Sequence, residues 1–442
     1  MLDLRYKTIL NVALPLMVSS FIQAVVLLTD AAFLSRHDTL SFDAAGNAGL
    51  IFITMFMALA GMGDGAQILI ARRIGQKKID AIGRIFGTSI LVQSLLAILL
   101  FLFLQNVIPS MLHSYSKHQD IASAQIDFLS IRSYALFFAM ISLSIQAFFF
   151  ATGKTWVVLV SALITASSNI ILDYVLIFGK ASFPEMGLKG AALASTLADG
   201  LGMVFLITFL IFSKLRKEYA LFSHFSFNLP SFKELIKIGS PIMFQGLIAL
   251  STWTIFFTWI EQIGKFELTV SQNIRSIYFL AFIPIWGFSA TTKTYISQYI
   301  GMGDFHSLKI IQKRIQLLTM LFLSVIILGA VFFPTNIITM INPSKEYIQK
   351  SADILRFISI STLLFGFSSV YFQTINGSGN TFVTFIIEVI SVAIYLVTSY
   401  LLIKVLKLDI YWIWSVEYIY FGSIGLLSIG YLRFFDWKKK IV

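Results

Sequence analysis

The sequence predicts an all-α integral membrane protein: twelve transmembrane helices in two parallel six-helix repeats, an N-lobe and a C-lobe, around a central cavity. Three observations predict it. Hydrophobic residues make up 57% of the chain and charged residues only 12%, whereas a soluble domain carries about 25% charged residues. Twelve apolar stretches each have the roughly 20 residues needed to cross a bilayer. One ungapped shift of 226 residues lays the landmarks of the first half on those of the second.

The apolar stretches lie near 8–34, 44–71, 83–108, 123–151, 155–179, 187–213, 234–262, 269–300, 307–333, 347–375, 381–406 and 410–434. The first follows Arg5 and Lys7 and runs on too long for a signal-peptide core, so no cleavable leader is expected. The gaps between stretches are short. The longest runs from Lys214 to Lys233. It divides the chain into an N-lobe over 1–214, a cytoplasmic linker loop over 215–233 and a C-lobe over 234–442.

Loop charge predicts orientation. With the N-terminus inside, cytoplasmic segments hold Arg5, Lys7, Arg72, Arg73, Lys77, Lys78, Arg84, Lys154, Lys214, Arg216, Lys217, Lys233, Lys237, Lys309, Lys313, Arg314, Arg433 and Lys438 to Lys440. Outer loops hold Arg36, Lys117, Lys180, Lys189, Lys265, Lys345, Lys350, Lys404 and Lys407, so the balance is twenty against nine. That bias places both termini in the cytoplasm. It also accounts for the net charge of +11 without a nucleic-acid partner.

The repeat rests on separated landmarks. Pro15 in "ALPLM" matches Pro241 in "GSPIM", Gly75 matches Gly301, and Gly153 and Thr155 match Gly379 and Thr381, all at an offset of 226. Met17/Met243, Gly61/Gly287, Ile70/Ile296 and Ile74/Ile300 keep the same register. Chance coincidence among common apolar residues is the competing reading, and the Pro and Gly matches argue against it. Six helices return the chain to the side where it began. The repeats are therefore parallel, an arrangement that in secondary transporters places the substrate site between the halves.

Several chemistries find no support. There is no cysteine, which excludes disulfides and thiolate sites. His37, His113, His118, His224 and His306 lack zinc-site spacing. "ATGKT" has Phe148 where a phosphate-binding loop needs its first Gly, so it reads as a tight turn between helices. No nucleophile elbow is present. The chain is not expected to be an enzyme or to hold a cofactor.

The informative residues are acids inside spans, where an ionisable group costs about 2.5–3.5 kcal/mol even on the lenient insertion scale. Asp30 lies near the outer end of helix one. Asp173 lies at similar depth in helix five, with Asn169 one turn before it on the same face. Ser195 and Thr196 lie about two turns into helix six. Two carboxylates, an amide and hydroxyls at one level form a ligand set for a hard monovalent cation, Na⁺ at Asp30, Asn169 and Asp173, or for a proton. The bland readings are a solvated helix-end acid and ordinary packing polars. At the 226 offset these positions become Phe256, Tyr395, Ser399 and Phe421, so the cation site is expected in the first half alone. Asp199 and Asp64 lie deeper and are, with Thr196, candidates for lining a cavity or touching substrate. Lys293, Glu388 and Glu417 are second-half candidates for buried ion pairs.

These segments together resemble the multidrug and toxic compound extrusion (MATE) family. The likeness rests on "ALPLM", "LTDAAFLSR", "ARRIGQKK", "ATGKT", "NIILDYVLIFG", "GLKGAALAS", "GSPIM", "YIGMGDF" and "INGSGNT" in order, over nearly the whole chain. The resemblance implies antiport: organic, drug-like substrates leave across the inner membrane as H⁺ or Na⁺ enters, with no other partner than substrate, cation and lipid, in a monomer. It implies cation coupling at Asp30, Asn169, Asp173 and Ser195, where Ser stands for the family's Thr. Another branch places acids in helices seven and ten. Here Ala249 stands near the first of those positions, and helix ten reads "LLFGFSSVYFQTING", with no acid, which argues against such a site. The alternative in the same superfamily is a lipid-linked oligosaccharide flippase, which would favour basic residues at mid-membrane.

Overall fold

The computed structural model describes residues 2–115, 119–223 and 227–438. Lys117, His118, His224, Lys439 and Lys440, named above, lie outside them. Twelve helices are long and apolar enough to cross a membrane: α1 (Tyr6–His37), α2 (Thr39–Gly75), α3 (Ile79–Ser114), α4 (Ala135–Thr152), α5 (Trp156–Ile177), α6 (Gly187–Phe212), α7 (Leu229–Glu261), α8 (Lys265–Met302), α9 (Ser307–Phe332), α10 (Lys345–Gly377), α11 (Thr381–Val405) and α12 (Ile410–Phe434). They correspond one to one with the predicted stretches. The protein is a multi-pass helical membrane protein.

The repeat is written into the backbone as well as the sequence. Left-handed residues recur at the same offset of 226: Lys77 and Gly303, Gly153 and Gly379, Ala181 and Lys407. Pro15 and Pro241 both lie inside helices, α1 and α7. The short helix Ile108–Tyr115, which ends α3 after an interruption at Val107, has its counterpart in Pro334–Ile341 after α9. Gly153 and Gly379 each follow a helix end, where a positive φ lets the chain reverse without a side-chain clash. The turn reading of "ATGKT" therefore holds for the backbone.

Several spans depart from their predicted continuity, α4 and α8 among them. The stretch 123–151 is broken into Gln119–Arg132 and α4. No proline lies there. The break exposes carbonyls that other helices take up: Gln105 donates to Ser130 O at 2.9 Å, and Thr196 reaches Ile131 O at 3.5 Å. Side chains inserted into the ladder are an established cause of such breaks. Within α8 the helix pauses at Phe282, just before Pro284, which lacks the N–H that a continuous helix needs.

The chain forms two compact units, one of Leu14–Met243 and one of Met1–Ala13 with Phe244–Val442. Both α1 and α7 change unit near their proline. In the first unit, α2 approaches the start of α7 closely enough that a Cβ on Gly65 would lie 2.7 Å from Gly239 Cα. Arg73 on α2 holds Glu234 with two bonds of 2.8 Å. In the second unit, Trp414 is fully buried against Phe256, Phe257 and Tyr278.

Candidate functional site

The packing of α5 on α6 sets the site. Both helices carry small residues at their contact. A Cβ on Gly190 would meet the Leu176 carbonyl at 2.7 Å, and Ser161 Oγ donates to Gly202 O at 3.1 Å. Small residues let membrane helices approach backbone to backbone. At that separation Asn169 on α5 reaches Ser195 on α6, its Nδ2 donating to Ser195 Oγ at 3.2 Å. One turn further along α5, Asp173 is fully buried.

Helix α1 supplies the third element. Its C-terminal end is fixed in the first unit by Phe33, whose ring meets Phe178 edge-on at 6.0 Å. His37 contacts Asp38 at 2.6 Å and Glu185 at 3.0 Å. Asp30, two turns before His37, lies close enough to Asp173 for the two carboxyls to interact electrostatically. Deeper in α1, Pro15 donates no N–H, and Ser19 Oγ instead bonds the Pro15 carbonyl at 2.7 Å. A helix interrupted in this way bends at low cost.

The electrostatic character follows from counting donors. Asp30 Oδ1, both carboxyl oxygens of Asp173 and Asn169 Oδ1 are buried and accept no hydrogen bond. Asn169 gives an amide hydrogen to Ser195, and its side chain also interacts with Asp173. Buried acceptors without donors are rare in folded proteins and call for an explanation. Four such oxygens, three of them on acids, attract a proton or a small cation.

Four of the seven predicted residues are therefore assembled: Asp30, Asn169, Asp173 and Ser195. Thr196 is buried, but its hydroxyl bonds Ala192 O at 2.7 Å on its own helix, away from Asn169. Asp199 forms an ion pair with Arg132 at 2.7 Å. Asp64 lies on α2 next to the Gly65–Gly239 approach and makes an interaction of its own.

Arg132 was not foreseen. It ends the helix Gln119–Arg132, and its guanidinium lies 4.6 Å above the Phe52 ring. Its charge reaches both Asp30 and Asp173. The signal was available: an arginine well inside a predicted span calls for a partner. In the second unit, Glu388 and Glu417 are buried as expected but form no ion pair among the described residues. Tyrosine hydroxyls hold them instead.

Comparison with known proteins gives the family. The MatE profile matches residues 15–175 and, a second time, 241–401, so the two matches stand 226 residues apart at both ends. A probable multidrug resistance protein NorM of Thermotoga maritima is 25% identical, covering 99% of this chain and 94% of its own. A probable multidrug resistance protein YoeA of Bacillus subtilis is 21% identical, covering 96% and 93%. Among solved structures, the MATE transporter VcmN of Vibrio cholerae superposes with a TM-score of 0.89 at 17% identity over 98% of each chain. A MOP superfamily transporter from Pyrococcus furiosus gives 0.87 at 17% identity over 96% and 94%. At such identity the structural likeness speaks for the fold, and the doubled sequence match speaks for descent. The chain belongs to the MatE family, the multidrug and toxic compound extrusion transporters.

Proposed function

We propose that the protein is a secondary active antiporter that exports organic, drug-like amphiphiles in exchange for H⁺ or Na⁺. The coupling cation binds at Asp30, Asn169 and Asp173, with Ser195 orienting the amide. The observation that carries this reading is the cluster of donor-free buried oxygens contributed by α1 and α5. Both termini lie in the cytoplasm, as loop charge directs.

Coupling follows from charge neutralisation. Without its cation, the Asp30–Asp173 pair sets two carboxyls against each other in a low-dielectric layer. Occupancy removes that repulsion and lets α1 repack about Pro15. A ligand shifts a conformational equilibrium only by its differential affinity for the two states, and here the differential lies in where Asp30 stands relative to Asp173. One monovalent charge moving down about 100 mV supplies about 2.3 kcal/mol. At about 1.4 kcal/mol per tenfold, that sustains a substrate gradient of several tens-fold.

The test is dye efflux from proteoliposomes under an imposed Na⁺ or proton gradient, comparing the wild type with Asp30→Asn and Asp173→Asn. Loss of gradient-driven efflux in both variants is expected. Undiminished efflux in both sinks the site. Flipping of a labelled lipid-linked sugar without dye efflux moves the assignment to the oligosaccharide flippase.

A further inference from the structure

The second unit holds two buried acids that the antiport reading does not use. Glu417 on α12 is fully buried and Glu388 on α11 is 5% exposed. Each accepts a bond from a tyrosine on the facing helix: Tyr395 Oη donates to Glu417 Oε1 at 3.2 Å, and Tyr420 Oη donates to Glu388 Oε1 at 2.5 Å. The two tyrosine rings meet edge-on at 5.4 Å. The acid–phenol pairs thus form one connected seam between α11 and α12.

The seam is polar along its length and closed to solvent. On α11, Glu388, Ser391, Tyr395 and Ser399 recur at helical spacing on one face. Ser391 Oγ, Ser399 Oγ, Ser428 Oγ on α12 and Glu417 Oε2 are buried without a well-formed hydrogen bond. Around Glu417 stand Trp253 of α7, Tyr278 of α8 and Tyr420 of its own helix. Arg275 of α8 is turned over the Phe257 ring at 5.0 Å. Seven residues separate Glu388 from Tyr395, so the seam covers about 10 Å of the helix axis.

We propose that Glu417 and Glu388 form a second ion-binding site, one that takes protons and excludes Na⁺. The ligand chemistry makes the distinction. A hard metal cation needs several oxygens converging on it. Glu417 meets the Tyr395 hydroxyl and the Trp253 side chain, which do not supply several converging oxygens, whereas a proton needs a single oxygen. A charged carboxylate with so few donors in an apolar surround is strongly disfavoured, so each acid releases its proton only when the seam opens. In each such event one carboxyl O–H bond breaks, the proton passes to water, and a carboxylate is left hydrogen-bonded to its tyrosine.

This site also gives a meaning to the 226 offset. Tyr395 occupies the position of Asn169, and Phe256 and Phe421 those of Asp30 and Ser195. The second half keeps an ion-binding locus at the corresponding level, rebuilt around an acid one turn away on α12.

Trp253 beside Glu417 supplies the readout. Intrinsic tryptophan emission of the purified full-length protein is recorded against pH without Na⁺, and against NaCl at fixed pH. The expected result is a pH-dependent change that Glu417→Gln loses, that Asp30→Asn keeps, and that NaCl does not reproduce. Tyr395→Phe, which removes one hydroxyl, is expected to shift its midpoint. Infrared difference spectra across the same pH range are expected to lose a protonated-carboxyl band in Glu388→Gln. A full pH response in Glu417→Gln overturns the proposal. So do an unshifted midpoint in Tyr395→Phe, an unchanged carboxyl band in Glu388→Gln, or a Glu417-dependent response to NaCl. None of these measurements requires transport, so failure of antiport would leave them standing.

Discussion

Asn169 gives an amide hydrogen to Ser195 at 3.2 Å, one turn from the buried Asp173. On the proposed site, the serine holds the Asn169 amide in place beside Asp173. Ser195→Ala frees that amide to rotate. With one hydrogen bond at stake, worth about 1 kcal/mol, the cation concentration for half-maximal efflux should rise about fivefold. Ser195→Thr should restore it. The dependence of efflux on Na⁺ or proton concentration checks both.

Arg132 and Asp199 are each less than a third exposed. Removing one partner strands the other. Arg132→Gln and Asp199→Asn should each lower stability by about 1–3 kcal/mol, and the double variant should cost less than the two losses added together. Thermal unfolding of all four proteins forms the cycle. Additive losses would show that the pair is not coupled.

Gly190 and Gly46 separate close packing from helix propensity. A Cβ on Gly190 meets the Leu176 carbonyl at 2.7 Å, while one on Gly46 meets nothing within 4 Å. Gly190→Ala should push α5 from α6, reduce stability and weaken cation dependence together, through the Asn169–Ser195 contact. Gly46→Ala should be neutral or stabilising by up to about 1 kcal/mol. Melting temperature and efflux, measured side by side, distinguish them.

In the loop before α9, the Ser307 hydroxyl and amide bond the Asp304 carboxylate at 2.6 and 3.2 Å and hold it below the usual carboxylate range. A group with a depressed folded value contributes stability above its unfolded pKa, about 3.9 for Asp, and loses that contribution as pH falls through the folded value. The first turn of α9 should therefore loosen as pH falls below about 4. Hydrogen exchange at Ser307 and the following amides should show this in the wild type. Asp304→Ala should show faster exchange already at neutral pH, losing about 1 kcal/mol of capping.

The twelve spans were legible because length and apolarity alone define a crossing helix. So was the repeat, because Pro15, Pro241, Gly153 and Gly379 carry backbone roles that few other residues can fill. The break at Ser133 was not legible. It is made by Gln105 and Thr196 reaching in from other helices, and nothing local marks it. Helical spacing placed Asn169, Asp173 and Ser195 together. It could not say which way Thr196, one residue further round the helix, would turn. The partners of Glu388 and Glu417 depended on which faces of α11 and α12 meet, and tyrosine hydroxyls were overlooked because acids in a membrane were matched only with bases.

The paired left-handed residues bear on how such a chain arises. Lys77 answers Gly303 and Ala181 answers Lys407, so the conformation has outlasted the residues that occupy it. A unit with an even number of helices begins and ends on one face of the bilayer. Copying it in tandem inserts the second copy the same way up as the first, in a single genetic event. An odd-numbered unit would have needed a partner already able to insert in both orientations. The ancestor of this transporter had only to be duplicated and joined. Its two copies were then free to diverge in sequence on an unchanged set of turns.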